Sequence, residues 1–475
     1  MTTRITPALR RLLFIGGVLL SAAAQAQSPT VDPTFPPVQI SGTTALAGVY
    51  DVARQPDGKY LIGGDFQAVN GQPVSNLARL NADGSLDAAF TAACAANGPV
   101  GAIIVQPDGK ILVAGSFQTL GGSARAAVGR LLANGTPDAS FAPNFNTADG
   151  WVNSASNLLL LPDGKVLATG SVYLLGNPNE QRMFRLDGAT GQADPSFQFT
   201  LPSPDSHPGR MVRQPDGKVI LSGSVPSYRQ ATMLMRVEAN GSADASFSPV
   251  VNYFTGGIYT IALDGAGRIY AGGSYNGLGG GHPALRRYLA NGTVDPSFAY
   301  AGAGSAVVNA VTLQPNGNLL VGSGITERVL PTGAVDATYL SANGPSGNYN
   351  FAFRKVLVEP SGAILMAGAF ALPGTTGVVG LARLNAANVL PVRPATAAAE
   401  RLAAWPVPTR DVLHLRATAP AQHVQLLDAL GRSVRSYRLP VADLNIPVAD
   451  LPAGTYQLRV AFTDGSQAVR RVLLQ

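Results

Sequence analysis

The 475-residue sequence holds one cysteine, two tryptophans and four histidines, and only 13% of its residues are charged. Each scarcity excludes something. The single Cys94 cannot form an internal disulfide, so a chain of this size must rest on its own hydrophobic core. Of the four histidines, His414 and His423 fall in the tail. His207 and His282 alone cannot make a His-rich metal centre, and no Cys/His spacing suggests zinc. The sequence has no Gly-x-Ser-x-Gly elbow, no Walker-type phosphate loop and no dinucleotide fingerprint. We therefore assign no catalytic residue, no metal and no cofactor from it. Past the first twenty residues, no apolar run approaches the ~20 residues that cross a bilayer.

What is abundant is glycine and proline, at 54 and 35 residues. With 46% hydrophobic content, that density fits many short strands joined by tight turns, and the expectation is an all-β protein. The N-terminus differs. Arg4, Arg10 and Arg11 precede the apolar run Leu12 to Leu20, and Ala24-Gln25-Ala26 follows with small-x-small spacing, so residues 1–26 read as a secretory signal peptide. Arg10-Arg11 also fits a twin-arginine signal, though paired arginines before apolar stretches are common.

The formal charge of +6 suggests an anionic partner until it is divided along the chain. The signal carries three arginines and no acid, and the tail from Val392 carries ten arginines against six acids. The middle is left with 21 basic and 22 acidic residues. With no basic cluster interleaved with aromatics, nucleic acid is not an expected partner.

Periodicity says most. A Pro-Asp-Gly-Lys-like turn recurs seven times, with its glycine at Gly58, Gly109, Gly164, Gly217, Gly267, Gly317 and Gly362. Glycine supplies the positive φ of a tight hairpin, so each turn should join two antiparallel strands. A third strand should follow, such as Leu77 to Asn81, then a second turn such as Asp83-Gly84, and then an Asp-x-x-Phe element read as a fourth strand. Units of about 50 residues with short apolar strands, buried on both faces, suit propeller blades better than a sandwich.

The Asp-x-x-Phe element closes five units, from Asp87/Phe90 to Asp295/Phe298, and Asp336/Tyr339 closes a sixth. The seventh unit lacks it, whereas Val31-Asp32-Pro33-Thr34-Phe35 stands alone near the N-terminus. One end should complete the other. The expected fold is thus a seven-bladed β-propeller over 27–391, closed by an N-terminal strand, then a linker at 392–401 and a small C-terminal β-sandwich at 402–475.

The repeats, as in VARQPDGKYLIGGDF…LARLNADGSLDAAF at 52–90, resemble delta-60 repeats. That resemblance implies an exported bacterial β-propeller and no particular activity. The tail resembles the sorting domain of type IX secretion cargo through WPVPTRDVLHL, VQLLDALGRSVRSY, VADLPAGTYQLRV and the closing RRVLLQ. Its motif positions are Trp405, Pro406, Pro408, Asp428, Gly431, Gly454 and Tyr456. Trp405 and Val407 depart from the family's usual Tyr-Pro-Asn-Pro opening. The resemblance implies passage through the periplasm and across the outer membrane, with the type IX machinery as partner and the product secreted or held at the cell surface.

Loops carry binding on rigid scaffolds. The uniform turns should share one rim, leaving the variable connections, around Trp151, Tyr253 and at 173–182, 225–230 and 275–285, on the other. Candidates there are Trp151, a sugar-stacking platform or a packing plug, with Asn153 beside it. His282 reads as a loop histidine or a ligand, and Arg286-Arg287 reads as a partner for an acidic ligand or as surface ion pairs. The reading is a secreted or surface binding module for a glycan or a protein. An alternative is a polysaccharide hydrolase or lyase drawing on Asp149, Asp205, His207 and His282; another is a structural surface-layer component.

Overall fold

A computed structural model describes residues 30–385 apart from 45–46, 148–152, 201–205, 226–230, 248–256, 275–283, 303–306, 323–325, 340–352, 373–374 and 376, and residues 402–474 apart from 406–408, 428–432, 453 and 463–466. The signal segment 1–26 and the linker 392–401 lie outside these residues. Among these residues, apart from one short helix, Ala88–Cys94, the regular elements are strands.

Among the described residues, seven antiparallel three-strand meanders follow one another along the chain. The first comprises Gly48–Arg54, Tyr60–Asp65 and Leu77–Leu80, and the last Phe353–Val358, Ile364–Phe370 and Val378–Leu384. The repeated turn makes each first hairpin. Gly58 and Gly109 sit at φ +89° and +81°, and the Asp57 and Asp108 carboxylates accept the N–H groups of Lys59 and Lys110. Second strands such as Tyr60–Asp65, Ile111–Gly115 and Leu319–Gly322 are buried along nearly their whole length because both faces are covered. Val49, Val52 and Ile62 share one core cluster with Leu365, Ala367 and Leu381, and Ala102 and Leu112 share another with Ala155 and Phe184. Each first strand packs on the first strand of the next unit, and Phe353–Val358 packs on Gly48–Arg54.

The expected fourth strand is not an extended strand in most units. Leu80 meets Leu86, and Leu131 meets Pro137, in single bridges, after which the chain curls into a turn. The cause is local. Asp138 accepts both the N–H and the hydroxyl of Ser140, and the Phe141 N–H bonds to the Asp138 carbonyl. Asp194, Asp244, Asp295 and Asp336 repeat this with Ser196, Ser246, Ser297 and Thr338. In the first unit the hydroxyl-bearing position is Ala89, and a helix starts instead, with Asp87 as its N-cap accepting from the Phe90 N–H.

The N-terminal segment lies along the last meander. Val31 bridges Leu384, the Asp32 N–H bonds to the Arg383 carbonyl at 2.8 Å, and Val38–Ser41 pairs antiparallel with Val378–Leu384. Ile40 and Ser41 also pair with Val69 and Ala68 of the first unit.

The C-terminal region, expected as a small β-sandwich, is built on two long strands. Its described residues form a five-stranded antiparallel sheet in which Val412–Leu427 and Ser433–Pro447 run 16 and 15 residues. Pro420, which suggests a break, falls where the ladder shifts register on either side of Ala421, so irregular pairing absorbs the missing donor without ending the strand. Leu413, Leu415, Val424, Leu426, Ile446 and Leu458 lie in one core.

Candidate functional site

Two sets of side chains recur at fixed positions: one joins neighbouring units, and the other lines a central cavity. The joint is built on an arginine of each third strand, of which the sequence singles out only Arg287, and that one as a ligand partner or surface ion pair. Arg130 donates from Nε to Asp138 at 2.8 Å, Arg236 to Asp244 at 2.6 Å and Arg287 to Asp295 at 2.7 Å. Each guanidinium also lies over the aromatic ring three residues beyond its aspartate, at 4.7–5.1 Å for Phe141, Phe247 and Phe298. A further N–H crosses to the following unit's second turn: Arg185 to the Ala239 carbonyl, Arg236 to Ala290 and Arg287 to Pro331.

Arg383 of the last unit has no such aspartate downstream. It takes Asp32 at 2.8 Å, lies 4.7 Å over Phe35 and donates to the Ala82 carbonyl of the first unit. The joint is therefore made from residues 351 positions apart. Lysines of the first four turns add to it, with Lys59 reaching Asp87 at 2.8 Å and Lys218 reaching Asp244 at 2.6 Å. These cations hold the carboxyls down. Lys59, opposed by burial and supported by Arg79, lowers Asp87 to about 2. At Asp138 burial works upward but is outweighed by Ser140 and Arg130, and the group again falls to about 2.

The second set occupies a cavity of about 350 Å³ lined by residues from the first strand, or its approach, in all seven units. Tyr50, Gly101, Ser156, Gly209, Tyr259, Asn309 and Arg354 each stand eight residues before their unit's turn glycine. A β-bulge at that point turns the residue out of the ladder in most units, as between Val49 and Asp51 or Phe353 and Lys355. Arg210 and Asn157 complete the polar lining. Arg210 donates to the Asn157 side-chain oxygen at 2.9 Å and to the Tyr259 carbonyl at 3.3 Å, and Arg354 lies 4.9 Å over the Tyr50 ring. Burial lowers the pKa of both guanidiniums. Asp51 partly offsets this at Arg210, while at Arg354 Tyr50 offsets it and Arg210 adds to it. Asp51 is itself held by the Lys355 ammonium and the Ile103 N–H.

The candidates taken from the variable rim are not brought together. Trp151 and His282 lie outside the described residues, as do Asp149 and Asp205. Asn153 is fully buried: its amide nitrogen donates to the Asn146 carbonyl and its oxygen accepts the Tyr173 N–H, both at 2.8 Å, so it braces a link. Arg286 is half-buried in Leu285–Tyr288, and the arginine of the joint is its neighbour Arg287. His207 is exposed at the start of His207–Arg213. Cys94 is buried at the end of the helix, where burial pushes its thiol up to about 12, which suits packing rather than nucleophilic chemistry. Among the described residues no group of three or more His, Cys, Asp or Glu is placed to hold a metal ion.

In the tail, Trp405 ends the strand Leu402–Trp405 with His414 as its pairing partner, and Gly454 opens Gly454–Phe462. Tyr456 is buried and donates its hydroxyl to the Pro452 carbonyl at 2.9 Å. Pro406, Pro408, Asp428 and Gly431 lie outside the described residues.

Repeat, turn and joint define a β-propeller repeat protein, and comparison with known families agrees. The chain carries repeats of the family described as a domain of unknown function (DUF5122) beta-propeller at 55–90, 106–141, 161–197, 214–247 and 267–298. Residues 403–475 are a secretion system C-terminal sorting domain, so the protein is exported by type IX secretion to the cell surface or beyond it, and the tail engages the secretion machinery. No helix among the described residues is long and apolar enough to cross a membrane.

No curated protein matches the chain in sequence. Among solved structures it is similar to PorZ, a surface component of the type IX secretion system of Porphyromonas gingivalis, at 12% identity and a TM-score of 0.46, covering 91% of this chain and 60% of that one. It is also similar to the extracellular domain of the two-component-system protein BT4673 of B. thetaiotaomicron, at 12% identity and a TM-score of 0.46 over 95% and 60% of the two chains. Regucalcin of Agrobacterium tumefaciens, a calcium-binding protein, shows 12% identity and a TM-score of 0.35 over 74% and 94%. The chain spans about 60% of the length of the first of these structures.

Proposed function

We propose that the repeat body, residues 27–391, is a seven-bladed propeller closed by its N-terminal segment, and that it serves outside the cell as a glycan-binding module. What supports closure is that the Asp32–Arg383–Ala82 joint repeats the one between internal neighbours such as Asp244, Arg236 and Ala290. The observation that carries the binding role is the central cavity, to which every unit contributes one residue from the same position, with five residue types spread over the seven units. A position that served only packing would repeat, as the arginine of the joint does.

The lining offers guanidinium, amide, phenol and hydroxyl groups, which hold and orient a ligand. Hydrolysis of a glycoside asks for two carboxyl groups facing each other across the bond, a different arrangement. The test is to screen the mature chain on a glycan array and to follow any bound glycan for new reducing ends. Saturable binding without turnover is the expected result. Turnover would transfer the site to the polysaccharide-acting alternative, and an empty array would leave a protein ligand or a structural role.

A further inference from the structure

The central cavity has a chemical bias that its position alone does not require. Two guanidiniums, Arg210 and Arg354, belong to its wall, and among the described residues that line it there is no carboxylate. Arg210 spends its described hydrogen bonds on neutral acceptors, the Asn157 amide oxygen and the Tyr259 carbonyl. Among the described residues no carboxylate forms an ion pair with it. Asp51, whose charge reaches Arg210, is already engaged by Lys355 and the Ile103 N–H. Two like charges at one half-buried wall repel each other, and the repulsion is relieved by an anion placed between or beside them.

The rest of the lining sets the body of that anion. Ser156 and Asn309 supply a hydroxyl and an amide, and Tyr50 and Tyr259 supply phenol rings. Gly101 and Gly209 keep the wall open where other units carry side chains. A volume of about 350 Å³ stands at the small end of ligand pockets, room for one sugar ring rather than a chain. Resting on the binding reading above, we propose that this cavity takes an acidic monosaccharide unit, with its anionic group on Arg210 and Arg354 and its hydroxyls on the amide and hydroxyl groups of the wall.

A uronate carboxylate and a sugar phosphate both meet that description, and titration calorimetry on the full mature chain separates them. Glucuronate, glucose 6-phosphate and glucose share a ring and differ in charge. The expected result is that glucuronate or the phosphate binds at least about tenfold more tightly than glucose. Whichever binds more tightly names the anionic group, and its affinity should fall about tenfold or more between 50 mM and 500 mM NaCl. Arg210→Gln and Arg354→Gln should each weaken binding by about tenfold or more, while Arg416→Gln, exposed in the tail, should leave it unchanged.

Equal binding of glucose and glucuronate, no binding of any of the three, or binding indifferent to salt would overturn the proposal. The salt and charge comparisons use the unaltered chain, so they decide the matter even if an arginine variant fails to fold. If array binding persists in a folded Arg210→Gln/Arg354→Gln chain, the module still binds and only the central anion site falls. If the unaltered chain binds nothing on the array, the wider reading falls with it.

Discussion

The joint between units and the wall of the cavity are built from the same repeats by opposite rules. At the joint the same residues return: an arginine, an aspartate eight or nine positions later, an aromatic ring three further on, and a carbonyl in the next unit. At the cavity the position returns and the residue does not, so Tyr, Gly, Ser, Asn and Arg occupy equivalent places. Sameness marks the part that must fit its neighbour at every seam. Variety marks the part that all units share facing a single space, where seven equal residues would give a featureless ring.

Stability measurements test how far apart the two sets are. The largest effect belongs to the joint: Arg287→Met leaves Asp295 buried without its cation, and removal of one member of a buried pair typically costs about 3–5 kcal/mol. Denaturant unfolding followed by far-UV circular dichroism should show a loss of that order. Arg354→Gln at the cavity, measured in the same way, should cost under about 1 kcal/mol, since it removes a charge that burial disfavours. Equal losses would erase the distinction.

The next effect comes from backbone approach at the bulge. A side chain on Gly115 would sit 2.1 Å from the Pro99 carbonyl oxygen, so Gly115→Ala must push two paired strands apart. Overpacking of this kind costs about 1–3 kcal/mol and should appear as a lowered midpoint with unchanged slope.

The smallest is the response to acid. Asp87 and Asp138 titrate in the folded chain near 2, below the ordinary carboxylate value, so their contribution to stability is complete above about pH 4. It fades as the pH falls from about 4 to 2, where the joint aspartates take up protons. Midpoints measured across that window should decline, and the decline should shrink in Asp138→Asn. A decline centred near pH 6 would point to histidine and away from the joint.

Much of this was legible in the sequence, though unevenly. The turn glycines announce the hairpins because positive φ narrows the choice of residue, and the stray Asp32-Pro33-Thr34-Phe35 announces a contact with the last unit. The joint arginine was equally readable, standing eight residues before Asp87, Asp138, Asp244, Asp295 and Asp336, but it looks like an ordinary exposed arginine until its burial is seen. An extended fourth strand is what the sequence suggests and not what forms, because Asp-x-Ser/Thr favours a local turn over an extended chain.

The cavity was hidden for a different reason. Its residues share a spacing from the turn and no chemistry, so a search by residue type cannot gather them. Loop positions such as Asn153 drew attention, and its amide proved to be part of the framework.

The claim on which the rest depends is that the last seam is a seam like the others, and a double-mutant cycle on Asp32→Asn and Arg383→Gln tests it most directly. These residues are 351 positions apart and touch only if the two ends of the repeat body meet. We predict that the double variant loses less stability than the two single losses added together, by about 1–3 kcal/mol. Losses that simply add, as for distant independent sites, would contradict it.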